Sequence, residues 1–129
     1  MEKIVVWYLR MSIVYFVAGA VIGFIMILDP ETSGRYVTAH AHLNLLGFMS
    51  MMIYGVGYHI LPKFSGRNIY SPGIMHAQFW LANAGLIGMA AGWTLQTGRA
   101  ESLLIISALL SFAAVVLFAV NILKTIKAV

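Results

Sequence analysis

The stretch Tyr36 to Arg67, reading YVTAHAHLNLLGFMSMMIYGVGYHILPKFSGR, decides how the rest of the chain is read. It opens polar, runs apolar for nearly twenty residues, and meets Pro62 with Lys63 and Arg67 behind it. Three of the four histidines lie in it, His40, His42 and His59, and His76 follows shortly after. The pattern is that of a membrane-spanning helix with imidazoles at both ends. An ionisable side chain inside or at the rim of an apolar bundle points to function by default.

Composition supports a membrane protein. The chain has 129 residues, 61% of them hydrophobic and 9% charged, with a mean hydropathy of +0.90. A soluble domain carries about 25% charged residues. The length fits one domain, residues 1–129. There is no cysteine, which excludes disulfides, thiolate ligands and iron–sulfur clusters. The net charge of +4 is spread between apolar spans, so it is expected to set topology, with membrane lipid as the partner and no nucleic acid. The N-terminal run lacks a small-residue cleavage site before Asp29, and no signal peptide is expected.

Four apolar segments are each long enough to cross a bilayer, which takes about 20 helical residues. They run about 4–28, 38–61, 72–95 and 102–123. Asp29 to Gly34 reads as a turn, Thr38 as an N-cap, Pro62 as a stop and Pro72 as a first-turn proline. The fourth segment is entered from Thr97-Gly98-Arg99-Ala100-Glu101. Short loops predict antiparallel neighbours in an all-α bundle of four transmembrane helices. Lys3, Arg10, Lys63, Arg67, Lys124 and Lys127 fall on one side, and Arg35 and Arg99 on the other. The positive-inside rule then places both termini in the cytoplasm, for a multi-pass protein of the cytoplasmic membrane. His40 and His42 would lie at the outer surface, and His59 and His76 near the inner one.

Small residues mark expected helix contacts. Gly19 and Gly23 form a small-xxx-small pair, as do Gly88 and Gly92, and Gly47, Ser50, Gly55 and Gly57 thin the second helix. Such residues let backbones approach, and they also leave room for a flat macrocycle.

His40 and His42 are two apart, so on a regular helix they point about 200° from each other. They would share one metal only from an extended or frayed first turn. Otherwise one faces the bundle and the other a second site, a neighbouring subunit or the interface. His59 and His76 flank one short loop at similar depth, and bis-histidine ligation between neighbouring helices is a way to hold haem iron. Each pair also admits the plainer interpretation of polar anchors at the headgroups. Met49, Met51 and Met52 follow the first pair and would suit copper(I), but methionine is also ordinary core filler. Met26 is a candidate axial ligand at the outer end of the first helix. Trp7, Trp80 and Trp93 would suit the lining of a cofactor pocket, with packing and interfacial anchoring as their default interpretation, and Arg10 reads as a snorkelling residue. Arg35 is placed to meet an acidic cofactor edge such as a haem propionate.

The run Gly34-Arg35, then His40-Ala41-His42-Leu43-Asn44-Leu45-Leu46, ending Tyr58-His59-Ile60-Leu61-Pro62, resembles the second helix of the haem–copper oxidase catalytic subunit. The likeness is to C-type oxidases and nitric oxide reductases and covers residues 34–95, Phe79-Trp80 included. It implies that this helix begins at the outer face and carries an axial histidine of a low-spin haem. Counting from Gly34-Arg35, or back from Pro62, puts His40 at that ligand. The His42-Leu43-Asn44-Leu45-Leu46 string puts His42 there, and this register is favoured with both carried.

The family's subunit has many more spans, with its copper-site histidines and second axial haem ligand on later ones. With four spans, the chain is expected to bind haem b without being a complete oxidase. The second axial ligand would come from Met26, another histidine, a symmetry mate or a partner subunit. Electron transfer within a homo-oligomer or a larger respiratory complex is the expected role. The alternatives are a copper or metal handler using His-x-His and methionines, a haem sensor of nitric oxide or oxygen, and a cofactor-free structural subunit.

Overall fold

The computed structural model describes residues 1–95 and 100–126; Thr97, Gly98, Arg99 and Lys127, invoked above for the last loop and for topology, lie outside them. Among the described residues every regular element is helical. Helix α1 runs Lys3–Leu28, α2 Ser33–His42, α3 Met51–Phe64, α4 Pro72–Leu95 and α5 Ala100–Thr125. A 3-10 turn, Pro30–Thr32, precedes α2, and a π-helical segment, Leu43–Ser50, joins α2 to α3 without a break. The described residues therefore form four rods, the second being Pro30–Phe64, 35 residues long.

The second rod outruns the expected 38–61 at both ends. At its start only Asp29 leaves helical geometry, with φ −133° and ψ 85°. Pro30 supplies a first-turn φ without a wasted donor, and Glu31 suits the positive end of the helix dipole. Thr38 consequently lies inside the helix rather than capping it. At the far end Pro62 sits within α3. The true stop is Gly66, at φ +59°, where Arg67 N–H donates to the Pro62 carbonyl at 3.0 Å and Gly66 N–H to Lys63 at 3.2 Å. This paired closure needs a left-handed residue, which glycine adopts without a Cβ clash.

Among the described residues three rods, α1, Pro30–Phe64 and α5, are long and apolar enough to cross a membrane. Their outward faces carry Phe16, Val17 and Phe24 on α1, Leu45 and Ile53 on the second rod, and Ile105, Leu109 and Phe112 on α5, all well exposed. Outward apolar side chains with polar ones inside are expected where lipid is the solvent. Helix α4 is the interior rod: Met75, Gln78, Phe79, Ala82, Asn83, Leu86 and Met89 are buried on it.

Polar bonds tie these rods together. Tyr8 Oη donates to the Met75 carbonyl at 2.9 Å and Tyr15 Oη to Asn83 Oδ1 at 2.6 Å. Tyr58 Oη donates to Gln78 Oε1 at 2.5 Å. Asn121 accepts from Ser71 N–H and donates to its carbonyl, pinning the loop before α4 to the end of α5. Tyr8 also meets Tyr54, Tyr58 and Phe79 at ring distances of 5.1 to 6.1 Å. Between α4 and α5, Gly85 and Gly88 lie against Ser111 and Ser107, so a Cβ at either glycine would collide with the serine.

Candidate functional site at the His40 and His42 end

His40 and His42 both lie in the last turn of α2, on regular helix, and they serve different seams. The His40 ring faces α1. Its Nδ1 is 2.8 Å from the Gly19 carbonyl, and a Cβ on Gly23 would stand 2.9 Å from its Cε1. Asn44, one turn on, donates to the His40 carbonyl at 2.8 Å and packs against Gly19. The expected glycine pair in α1 is therefore a notch filled by two polar side chains of the second rod.

A carbonyl only accepts, so the His40 Nδ1 must carry the proton. Its 3.5 Å separation from Asn44 Nδ2 is then a contact between two donors and not a hydrogen bond. In the neutral ring this leaves Nε2 with a free lone pair. His42 reaches the same tautomer by another route: its Nδ1 donates to the Thr38 carbonyl of its own helix at 2.9 Å. Its ring lies against Trp93 of α4, centroids 4.4 Å apart. Both imidazoles are half-buried.

The remaining residues fall as follows. The Arg35 guanidinium donates through Nε and Nη2 to the Thr94 carbonyl at 2.8 and 2.5 Å, clamping α2 to the end of α4, and lies over the Tyr36 ring. Met26 is half-buried and shares the α1 face of Gly19 and Gly23, one turn further on. Met49 is exposed and Met51 fully buried in the core, so the methionines after the histidines diverge.

At the opposite end His59 accepts from Lys63 Nζ at 3.1 Å and lines a cavity of about 250 Å³ with Glu2, Tyr58 and Arg67. His76 is exposed and lines a different cavity, against Trp7 and Trp80. The first turns of α1 contribute to both. Among the described residues no group of three or more His, Cys, Asp or Glu side chains is gathered for a metal ion.

Trp93 and the Gly19 carbonyl were not singled out from sequence as partners of the histidines. A signal for the second was present: Gly19 and Gly23 are spaced four apart, as are His40 and Asn44, so a notch and its filling match in period.

Apolar rods around a polar interior define a multi-pass membrane protein. The chain belongs to the Cytochrome C and Quinol oxidase polypeptide I family, whose model matches residues 3–129. Over 71 residues it is 34% identical to the Cbb3-type cytochrome c oxidase subunit CcoN1 of Stutzerimonas stutzeri, covering 54% of this chain and 15% of that protein. Over 57 residues it is 35% identical to the cytochrome c oxidase subunit 1 homolog of Agrobacterium tumefaciens strain T37, covering 43% of this chain and 11% of that protein. The chain thus corresponds to a small part of each relative. It is a respiratory oxidase-related membrane protein of a family that implies haem cofactors.

Proposed function

We propose that this chain is a haem b-binding electron-transfer element, with His42 as one axial ligand. The observation that carries this is the His42 ring: Nδ1 is committed to the Thr38 carbonyl, Nε2 is free, and Trp93 lies against one side. A ligating histidine characteristically spends its other nitrogen on a carbonyl or carboxylate, which fixes the tautomer and aims the ring. Haem iron supplies a one-electron ferrous–ferric couple whose potential follows axial ligand identity and burial. His40 and Asn44 hold the helix bearing His42 against α1, and Arg35 fixes it to α4.

The second axial ligand is assigned to another polypeptide, a copy of this chain or a further subunit of a respiratory complex. His59 and His76 are proposed as headgroup-level residues at the other end. All four rods, α4 included, are proposed to cross the cytoplasmic membrane as one domain, with Lys3, Lys63, Arg67 and Lys124 on the cytoplasmic side. A second arrangement is favoured by one observation, that Met26 shares the α1 face on which His40 lies: His40 and Met26 would then be the ligands.

A reduced-minus-oxidised spectrum of the purified protein tests this. The expected result is a b-type α-band that His42→Ala abolishes and that His40→Ala and Met26→Leu retain. Loss in the latter two with retention in His42→Ala establishes the second arrangement. A spectrum changed by carbon monoxide marks an open position and favours gas binding. Copper without haem supports metal handling, and a colourless, metal-free protein removes every cofactor-based role.

A further inference from the structure

A groove of about 610 Å³ runs along the flank between α1 and α4. Trp7 and Met11 form one wall, Trp80 and Ile87 the other, and Lys3 and His76 stand at its mouth. Trp80 is 69% exposed and Trp7 50%, so the chain's own packing leaves the groove open sideways. From His76 to Ile87 it follows about 16 Å of helix, close to half of the roughly 30 Å hydrocarbon layer. Its depth is that of one leaflet.

Chemistry along the groove is graded. The mouth offers one ammonium and one imidazole, on the end of the bundle that also carries Lys63, Arg67 and Lys124 against Glu2. The floor includes Asn83, which already accepts from the Tyr15 hydroxyl at 2.6 Å and donates to the Phe79 carbonyl at 2.7 Å. A polar headgroup pushed inward would find those groups taken, whereas a methylene chain needs none. The walls also argue against a further helix. Helices in lipid associate through small residues, and here the walls are tryptophan, methionine and isoleucine, while Gly19 and Gly23 of α1 are used internally.

We propose that this groove binds one acyl chain of an anionic phospholipid, with the lipid phosphate held between Lys3 and His76. Zwitterionic and anionic lipids alike would wet the walls and present a phosphate, but a net-negative headgroup gains more from the basic mouth because no choline cation offsets its phosphate. Occupation would fill the seam between α1 and α4 and fix the spacing of the two rods on the leaflet side of Tyr15.

The test is tryptophan fluorescence of the whole chain carrying Trp93→Phe, which leaves Trp7 and Trp80 as the emitters, reconstituted in phosphatidylcholine vesicles containing a small fraction of brominated-chain lipid. Brominated phosphatidylglycerol should quench about threefold more than brominated phosphatidylcholine at equal mole fraction. Lys3→Gln/His76→Gln should bring that ratio to unity, and Lys124→Gln, at the same end but away from the groove, should keep it. Equal quenching by both lipids overturns the proposal. So does a preference that survives the double variant, or one that Lys124→Gln removes equally. Absence of quenching by either lipid means that a second protein surface covers the groove, which also overturns it.

Discussion

His40 and His42 are separated by one alanine yet answer to different neighbours, Gly19 on α1 and Trp93 on α4. Their divergence was legible from helical period alone, whereas their partners were not, because partners depend on which rods lie side by side. Replacing Gly23 by alanine puts a Cβ 2.9 Å from His40 Cε1, and the ring must move. We expect a loss of about 1–3 kcal/mol from overpacking, read as earlier thermal unfolding in detergent. Gly34 provides the contrast, since nothing lies within 4 Å of its built Cβ. In that helix interior Gly34→Ala should add about 0.5–1 kcal/mol. If Gly23→Ala unfolds no earlier than the parent, the notch is not filled as described.

The second rod shows which boundaries sequence can and cannot give. Pro62 reads in sequence as a stop, but a proline late in a helix removes one bond while the surrounding packing holds the turn; Pro62 itself is buried. The helix ends where Gly66 turns left-handed. Gly66→Ala should cost about 1 kcal/mol because an L side chain is strained at that φ, and it should loosen the loop to α4, visible as faster proteolysis at Arg67. Pro62→Ala should leave the helix length unchanged and be neutral or mildly stabilising. The π-helical segment Leu43–Ser50 was not foreseen. Its mark is local, Ser50 Oγ donating to the Leu45 carbonyl five residues back at 2.9 Å, and it coincides with Gly47, whose missing Cβ lets Tyr15 of α1 approach.

Across the whole molecule, four apolar segments and their small-residue contacts were readable, since lipid leaves hydropathy and close approach as the main signals. The interior status of α4 was less so, because it rests on pairings such as Tyr58 with Gln78 that cross between rods. Gln78 is fully buried, and its Nε2 has no partner among the described residues. Tyr58→Phe would leave Oε1 unpaired as well, at about 1–3 kcal/mol. Adding Gln78→Met should recover most of that loss, so the two changes should be strongly non-additive in unfolding measurements. The proposed topology has its own check. The chain has no native cysteine, so Ser65→Cys and Ser33→Cys can be labelled singly in oriented vesicles. Ser65→Cys should react only from the cytoplasmic side and Ser33→Cys only from the other; the reverse result inverts the bundle.

The unbroken run from Pro30 to Phe64 sets a mismatch with the bilayer. Its 35 residues extend about 52 Å, against a hydrocarbon thickness of roughly 30 Å. Centred and upright, it would emerge by about 11 Å at each end. His42, about 18 Å from Pro30, would then sit some 7 Å inside the apolar slab, and His59, about 44 Å along, would stand outside it. Tilt or membrane thinning moves both depths together. Bilayer thickness thus becomes a control on how much water reaches His40 and His42, adjustable by lipid chain length without touching a residue.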